Sequence, residues 1–168
     1  MYRSVFISLF LALLMGTGCT ENKPVINKDE EIAKIQAVLE KYTIAKEDQN
    51  FSLIQEVWAD REDIYLLGTD SDEKYLGWSQ IESAIKKQFS EFQQVYISTV
   101  EESIKVDETA HIAWFVEMLS YNFVHEGKAK QFEGIRFTGV LQKIDSSWKL
   151  VQGHMSIPAE QGTESAGN

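Results

Sequence analysis

The sequence is poor in residues that build covalent or metal centres. It has one cysteine, Cys19, two prolines and three histidines. A single cysteine excludes an internal disulfide bond. The histidines His111, His125 and His154 are scattered, and no HExxH or CxxC spacing indicates a metal site. The sequence also lacks a glycine-rich phosphate loop and a nucleophile elbow. We therefore predict neither a metal nor a cofactor.

Positive charge is also scarce. The chain carries 16 basic against 26 acidic residues, which gives a formal net charge of -10. Nucleic-acid binding relies on Lys and Arg to neutralise phosphates, so we exclude nucleic acid as a partner. The hydrophobic fraction of 43% is enough for a sizeable core, and the 168 residues predict one domain.

The first residues have the features of an export signal. Arg3 precedes an apolar run from Val5 to Met15, and the small residues 16–18 lead to Cys19. The run is too short for a membrane span, which needs about 20 apolar residues. The stretch ending at Cys19 resembles the lipobox of bacterial lipoproteins, whose cysteine carries the lipid. The resemblance implies a lipid anchor in the cell envelope, and Thr20 after the cysteine favours the outer membrane. The alternatives are a simple secretory signal with an incidental cysteine and an uncleaved anchor.

The composition predicts four segments. They are a signal peptide at 1–18, a lipidated tether at 19–28, a folded domain at 29–158 and a disordered tail at 159–168. The tail is predicted to be disordered because it is rich in small and polar residues.

Apolar periodicity predicts helices first and long strands last. Ile35, Leu39 and Tyr42 recur at helical spacing, which predicts a helix over 29–49 with Asp29 as its N-cap. Ser79 and Glu82 resemble the capping box of a later helix. The predicted helices are 50–59 and 79–92, and the predicted strands are 64–69, 74–77, 94–106, 109–125, 130–144 and 147–157. The order α-α-β-β-α-β-β-β-β predicts an α+β fold with helices on one face of a curved antiparallel sheet.

The closing strands resemble the SnoaL-like branch of the nuclear transport factor 2-like superfamily. The segments that carry the resemblance are Glu133–Lys143, Trp148–Gln152, His154–Pro158, Ala113–Phe115 and Leu76–Ser79. The resemblance implies a cone-shaped barrel of the cystatin-like α+β kind, with a pocket between sheet and helices, and dimerisation is common in the superfamily. It includes ketosteroid isomerase, polyketide cyclases, scytalone dehydratase and non-catalytic modules, so the fold does not settle function.

Strand parity and the family pattern give candidate catalytic residues. Glu117 lies on the apolar face of its strand, and the family pattern places Arg136 and His154 toward the pocket. We expect these three residues to satisfy one another. They form either a structural polar network or a catalytic group, with Glu117 or His154 titrating and Arg136 holding an anion.

Aromatic and polar residues give candidate ligand contacts. The predicted ligand-binding residues are Trp58, Trp78, Tyr121, Thr138 and Trp148. The tryptophans either line a pocket for a flat apolar ligand or belong to the core.

Three functions remain open from the sequence. The preferred one is a membrane-tethered domain that binds a small, mostly apolar ligand or a partner protein. The alternatives are an isomerase, lyase or hydrolase acting on a small carbonyl or polycyclic compound, and a homodimeric assembly module whose exposed sheet face forms the interface.

Overall fold

The computed structural model describes residues 26–158 and contains three helices and six strands. The helices are α1 (Lys28–Glu47), α2 (Phe51–Val57) and α3 (Trp78–Glu91). The strands are β1 (Tyr65–Leu67), β2 (Lys74–Leu76), β3 (Phe92–Val106), β4 (Ile112–His125), β5 (Lys128–Ile144) and β6 (Ser147–Ser156). The predicted α+β class and element order are confirmed. Cys19 and the tail at 159–168 lie outside the described residues.

The six strands form one curved sheet in the order β2-β1-β6-β5-β4-β3. Four of its pairings are antiparallel, as expected, but β1 runs parallel to β6, so the sheet is mixed. The end strands β2 and β3 do not pair with each other among the described residues, so the sheet is open rather than a closed barrel. Register shifts in the β3–β4, β4–β5 and β5–β6 pairings help it to curve, because bulges bend and twist a strand.

The helices cover the concave face of this sheet, and the core lies between them. Ile35, Leu39 and Tyr42 of α1 are buried, and the Tyr42 ring lies 5.6 Å from the Phe137 ring of β5. Phe137 in turn makes an edge contact of 4.9 Å with Phe115 of β4. Burial of each such side chain stabilises the fold by about 1.5–3 kcal/mol.

Two predicted helix caps are wrong. The N-cap of α1 is Asn27, whose side chain accepts a hydrogen bond of 3.3 Å from the Glu30 amide, so Asp29 lies inside the helix. The helix α3 begins after Gly77, which has φ 77° and makes no side-chain cap, so Ser79 is not the cap either. The Gly77 amide donates instead to the Ile64 carbonyl at 2.9 Å. A tertiary contact therefore fixes the start of α3 where we had expected a local one.

None of the helices within residues 26–158 is long and apolar enough to span a membrane.

Candidate ligand-binding cavity

A cavity of about 310 Å³ lies between α1, α3, the β1–β2 hairpin and the sheet. This volume is at the lower end of the range for small-molecule sites, roughly 300–1,000 Å³. The cavity combines one flat aromatic wall with a small number of polar groups. Such a combination suits an apolar ligand that carries one polar end.

Three phenylalanines form the aromatic wall. Phe92 at the start of β3 stacks on Phe123 of β4 with ring centroids 4.1 Å apart, and Phe123 is followed by Phe132 of β5 at 6.0 Å with nearly parallel rings. All three line the cavity, together with Ile135. The wall offers a planar ligand aromatic faces on which to stack.

Lys46 is a buried lysine that lines the cavity. It continues the buried stripe of α1 one turn beyond Tyr42, and only 5% of its surface is exposed. Its Nζ donates a hydrogen bond to Oε1 of Gln88 on α3, which also lines the cavity. Burial lowers the pKa of Lys46 to about 7, and the negative charge of Glu73 opposes this shift. A substantial fraction of this amine is therefore neutral near neutral pH.

Tyr121 of β4 supplies an unpaired hydroxyl. The residue is 5% exposed and lines the cavity, and within residues 26–158 its hydroxyl has no hydrogen-bond partner. Burial raises the pKa of Tyr121, and burial likewise raises the pKa of neighbouring Tyr42 to about 12. Both phenols stay protonated at physiological pH. A buried polar group without a partner costs free energy, which a ligand that pairs with it would recover.

The hairpin before α3 contributes acidic residues. Asp70 and Glu73 line the cavity, and Asp70 is solvent-exposed. The Glu73 side chain folds back over Gly68 and accepts a hydrogen bond of 3.1 Å from the Asp70 amide. This side of the cavity is therefore negatively charged.

Glu117 lies outside this cavity. It is 4% exposed and lines a second cavity of about 220 Å³ with Glu102, Glu40 and Thr99. The pKa of Glu117 is raised to about 7, mainly by burial and to a smaller extent by the negative charge of Glu102, its cross-strand partner. The burial of Glu117 agrees with the alternation of side chains along its strand, which placed it on the apolar face.

The predicted grouping of Glu117 with Arg136 and His154 is wrong. In the β4–β5 register Glu117 pairs with buried Phe137, and exposed Arg136 is one residue away on the opposite face. The Arg136 guanidinium donates to the Ile157 carbonyl at 3.0 Å. His154 pairs with Thr138, so the structure brings His154, Thr138 and Arg136 together on the outer face of the sheet.

A β-bulge on β6 explains why His154 does not face the pocket as the family pattern predicted. Leu150 pairs with Leu141, but Gln152 pairs with the adjacent Val140, which leaves Val151 as the extra residue. An extra residue reverses the facing of every side chain beyond it. Trp148 and Leu150 therefore face the helices, whereas His154 faces outward.

Of the five predicted ligand contacts, only Tyr121 lines the main cavity. Trp58 is 2% and Trp148 4% exposed, and both are core residues. Trp78 stacks on Phe51 at 6.1 Å, away from the cavity, and Thr138 is on the outer face. Trp58 and Trp148 thus follow the alternative interpretation, in which tryptophans build the core, and Trp78 is partly buried against it.

Lys46, Gln88 and Glu73 were not among the site residues predicted from the sequence. A signal existed for the first two. Lys46 follows Leu39 and Tyr42 at helical spacing, and Gln88 falls on the apolar stripe of α3 with Ile81 and Ile85. A polar residue that interrupts an apolar stripe is a candidate pocket residue. Glu73 is in a turn, where acidic residues are common, and carried no signal.

Across residues 26–158, no three His, Cys, Asp or Glu side chains are grouped so that they could hold a metal ion.

Three helices on the concave face of a curved sheet, with a cavity between them, define the nuclear transport factor 2-like architecture. Residues 35–160 match the SnoaL-like domain family, and the chain belongs to that family. No curated protein sequence matches the chain.

Solved structures share the fold at low sequence identity. A nuclear transport factor 2-like superfamily protein from Salmonella enterica serovar Typhimurium LT2 superposes with a TM-score of 0.72 at 17% identity, over 83% of this chain and 99% of that one. A candidate aromatic ring hydroxylase from Novosphingobium aromaticivorans gives 0.70 at 15% identity, over 80% and 94%. A candidate dehydratase from Streptomyces avermitilis gives 0.70 at 13%, over 79% and 99%. These likenesses establish the fold alone.

Proposed function

We propose that the chain is a membrane-tethered binding domain that takes a small, mostly apolar ligand into the cavity between α1, α3 and the sheet. The observation that carries this proposal is the buried Tyr121 hydroxyl, which has no hydrogen-bond partner among residues 26–158 and lies beside the aromatic wall in a cavity of about 310 Å³. A ligand that stacks on Phe123 and hydrogen-bonds to Tyr121 would use both features. Solved structures with this fold include candidate enzymes, which is consistent with a cavity open to small molecules.

The test is binding of the neutral fluorophore N-phenyl-1-naphthylamine, whose emission rises in apolar surroundings. Ala84 of α3 lines the cavity, whereas its neighbour Ser83 is exposed. We expect A84W to fill the cavity and weaken binding at least about tenfold, a loss of about 1.4 kcal/mol. The matched variant S83W should bind like the wild type. Equal affinity in A84W and the wild type, or no binding to the wild type, would contradict the proposal.

The three residues predicted to be catalytic do not lie on one face of the sheet, which weakens the enzymatic alternative. Glu117 faces the helices, and Arg136 and His154 are on the other face, so the three cannot act on one substrate. We therefore prefer binding to isomerase, lyase or hydrolase chemistry by these residues.

The membrane tether in this proposal rests on residues 1–19. The apolar run and Cys19 would direct export and lipidation, and two or more acyl chains would give stable anchoring. Mass spectrometry of the membrane fraction should find an acylated Cys19 at the N-terminus. The C19A variant should leave that fraction, and an intact Met1 would contradict the tether.

Self-association through the outer sheet face is compatible with ligand binding. Ile112, Trp114 and Val116 alternate along β4 with 38%, 48% and 45% of their surface exposed. Contiguous exposed apolar surface of this kind often marks a protein interface. We propose a homodimer through this face, and sedimentation analysis of W114E, compared with the wild type, should show a shift from dimer to monomer. A monomeric wild type would exclude it.

A further inference from the structure

We propose that the Lys46 amine forms a Schiff base with a neutral aldehyde or ketone bound in the cavity. This inference rests on the proposed binding function and names the chemical class of the ligand. It is argued from the position of Lys46, from the unpaired Tyr121 hydroxyl and from the charge around the cavity.

The surroundings of Lys46 suit a nucleophilic amine. Its Nζ is held by Gln88, an uncharged acceptor, and among residues 26–158 it forms no ion pair. Burial lowers the pKa of Lys46 to about 7, whereas an exposed lysine titrates near about 10.4. Only the neutral amine has the lone pair that attacks a carbonyl carbon, and burial in an apolar site is a known way to activate a lysine.

Tyr121 provides the complementary group for the carbonyl oxygen. Its hydroxyl is buried, lines the same cavity and has no partner within the described part of the chain. Because burial raises the pKa of Tyr121, the hydroxyl remains a donor at physiological pH. A carbonyl compound that stacks on Phe123 and accepts this hydrogen bond would occupy the cavity that Lys46 also lines.

The charge around the cavity favours a neutral carbonyl compound over a carboxylate. The titratable groups that share the cavity with Lys46 are Tyr42, Asp70, Glu73, Tyr75 and Tyr121. Two of these are carboxylic acids, and the whole chain carries a formal charge of -10. An anionic ligand would be repelled by Asp70 and Glu73, whereas a neutral aldehyde or ketone is not.

The reaction is a reversible condensation and needs no oxidant or reductant. The Nζ lone pair forms a bond to the carbonyl carbon, and the carbonyl π electrons move to oxygen, which takes a proton from the nitrogen. The resulting carbinolamine loses its hydroxyl with the second nitrogen proton as water, and a carbon–nitrogen double bond remains. Hydrolysis releases the ligand unchanged.

The test is reductive trapping of the full-length chain with 2-naphthaldehyde and cyanoborohydride, followed by peptide mapping. The trapped lysine gains the mass of the aldehyde less one oxygen atom. We expect labelling of Lys46 at near-neutral pH to exceed that of Lys34, Lys41 and Lys86 at least about tenfold, because each of those surface amines is held in an ion pair with a glutamate. Labelling of Lys46 should rise with a midpoint near its pKa of about 7.

Competition with N-phenyl-1-naphthylamine gives a readout that needs no variant. This ligand should suppress trapping at Lys46 and leave the exposed lysines unaffected. The K46M variant should lose the cavity label, whereas the surface variant S83W should keep both the label and fluorophore binding. Trapping at Lys46 no faster than at the exposed lysines would overturn the Schiff base, and retained fluorophore binding would then leave the binding function standing. Loss of both signals in the wild type would overturn the binding function as well.

Discussion

The indole Nε1 of Trp148 donates a hydrogen bond of 2.7 Å to Oε2 of Glu31. This contact joins the first turn of α1 to β6 across 117 positions of the chain. The same carboxylate oxygen pairs with Lys143 of β5 at 2.5 Å, and only 11% of the Glu31 side chain is exposed. Because Trp148 and Lys143 both lie on strands, Glu31 links the first turn of α1 to the sheet.

The E31Q variant should lose about 1–3 kcal/mol of stability at neutral pH, because it leaves Lys143 and Trp148 with a weaker acceptor. Hydrogen bonding to Lys143 chiefly lowers the pKa of Glu31 to about 2, from a usual 4.5. Its contribution is therefore complete above pH 4.5 and disappears as the pH falls toward 2. Urea unfolding at several pH values measures both effects. The exposed neighbour variant E30Q should cost less than about 1 kcal/mol, and equal losses in the two variants would contradict this prediction.

The G139A variant should destabilise the sheet by about 1–3 kcal/mol through overpacking. A Cβ at this position would lie 2.4 Å from the Gln152 carbonyl oxygen and 2.7 Å from the Phe115 ring. Thermal unfolding measures the loss. The control is G127N in the β4–β5 turn, where a Cβ would meet nothing within 4 Å and where asparagine tolerates the φ of 71°. A larger loss in G127N than in G139A would show that strain, and not packing, dominates.

The E117Q variant should stabilise the protein above neutral pH by about 1–3 kcal/mol. Burial raises the pKa of Glu117 from 4.5 to about 7, so the folded state favours the protonated acid. The favourable contribution is complete below pH 4.5 and is lost as the pH rises through 7. Wild type and E117Q should therefore unfold alike near pH 4.5 and diverge near about pH 8. Exposed Glu101, substituted as E101Q, is the control and should change stability by less than about 0.5 kcal/mol.

The K46M variant should show the opposite pH dependence. Burial lowers the pKa of Lys46 from 10.5 to about 7, so protonation opposes folding. Wild-type stability therefore falls as the pH drops from 10.5 to about 7 and stays low below that. We expect K46M to be more stable than the wild type by about 1–3 kcal/mol near about pH 6, and the gain to shrink in more basic buffer. The surface variant K41M loses only the ion pair with Glu56 and should change stability by less than about 1 kcal/mol. If the stability gain of K46M over the wild type did not change with pH, better packing rather than removal of a buried charge would explain it.

Local patterns were sufficient for the element order. The helical spacing of Ile35, Leu39 and Tyr42 predicted α1, and alternation along β4 placed Glu117 on the buried face. Both patterns depend on the geometry of a single element, so they can be read without knowing its neighbours. The start of α3 was missed because bonds to the loop before β1 fix it.

The candidate cavity depended on contacts between elements. Trp58 and Trp148 carry large aromatic surfaces that suit either a pocket or a core, and only packing against α1 and the sheet decided for the core. Lys46 and Gln88 interrupt the apolar stripes of α1 and α3, but only the packing of the two helices shows that these side chains meet. Tyr121 was predicted as a ligand contact, and it lines the cavity because burial alternates along β4 from Ala113 to Tyr121.

The sequence by itself determined the α+β class, the order of helices and strands, and the formal net charge of -10. The class and the element order follow from the periodicity of single segments, and the net charge is a sum over the residues. Neither depends on which segments meet in the fold. Only the tertiary structure decided that His154 faces outward and that Lys46 meets Gln88 beside Tyr121. One extra residue at Val151 reverses the facing of β6, and the burial that lowers the pKa of Lys46 exists only when distant segments exclude water together.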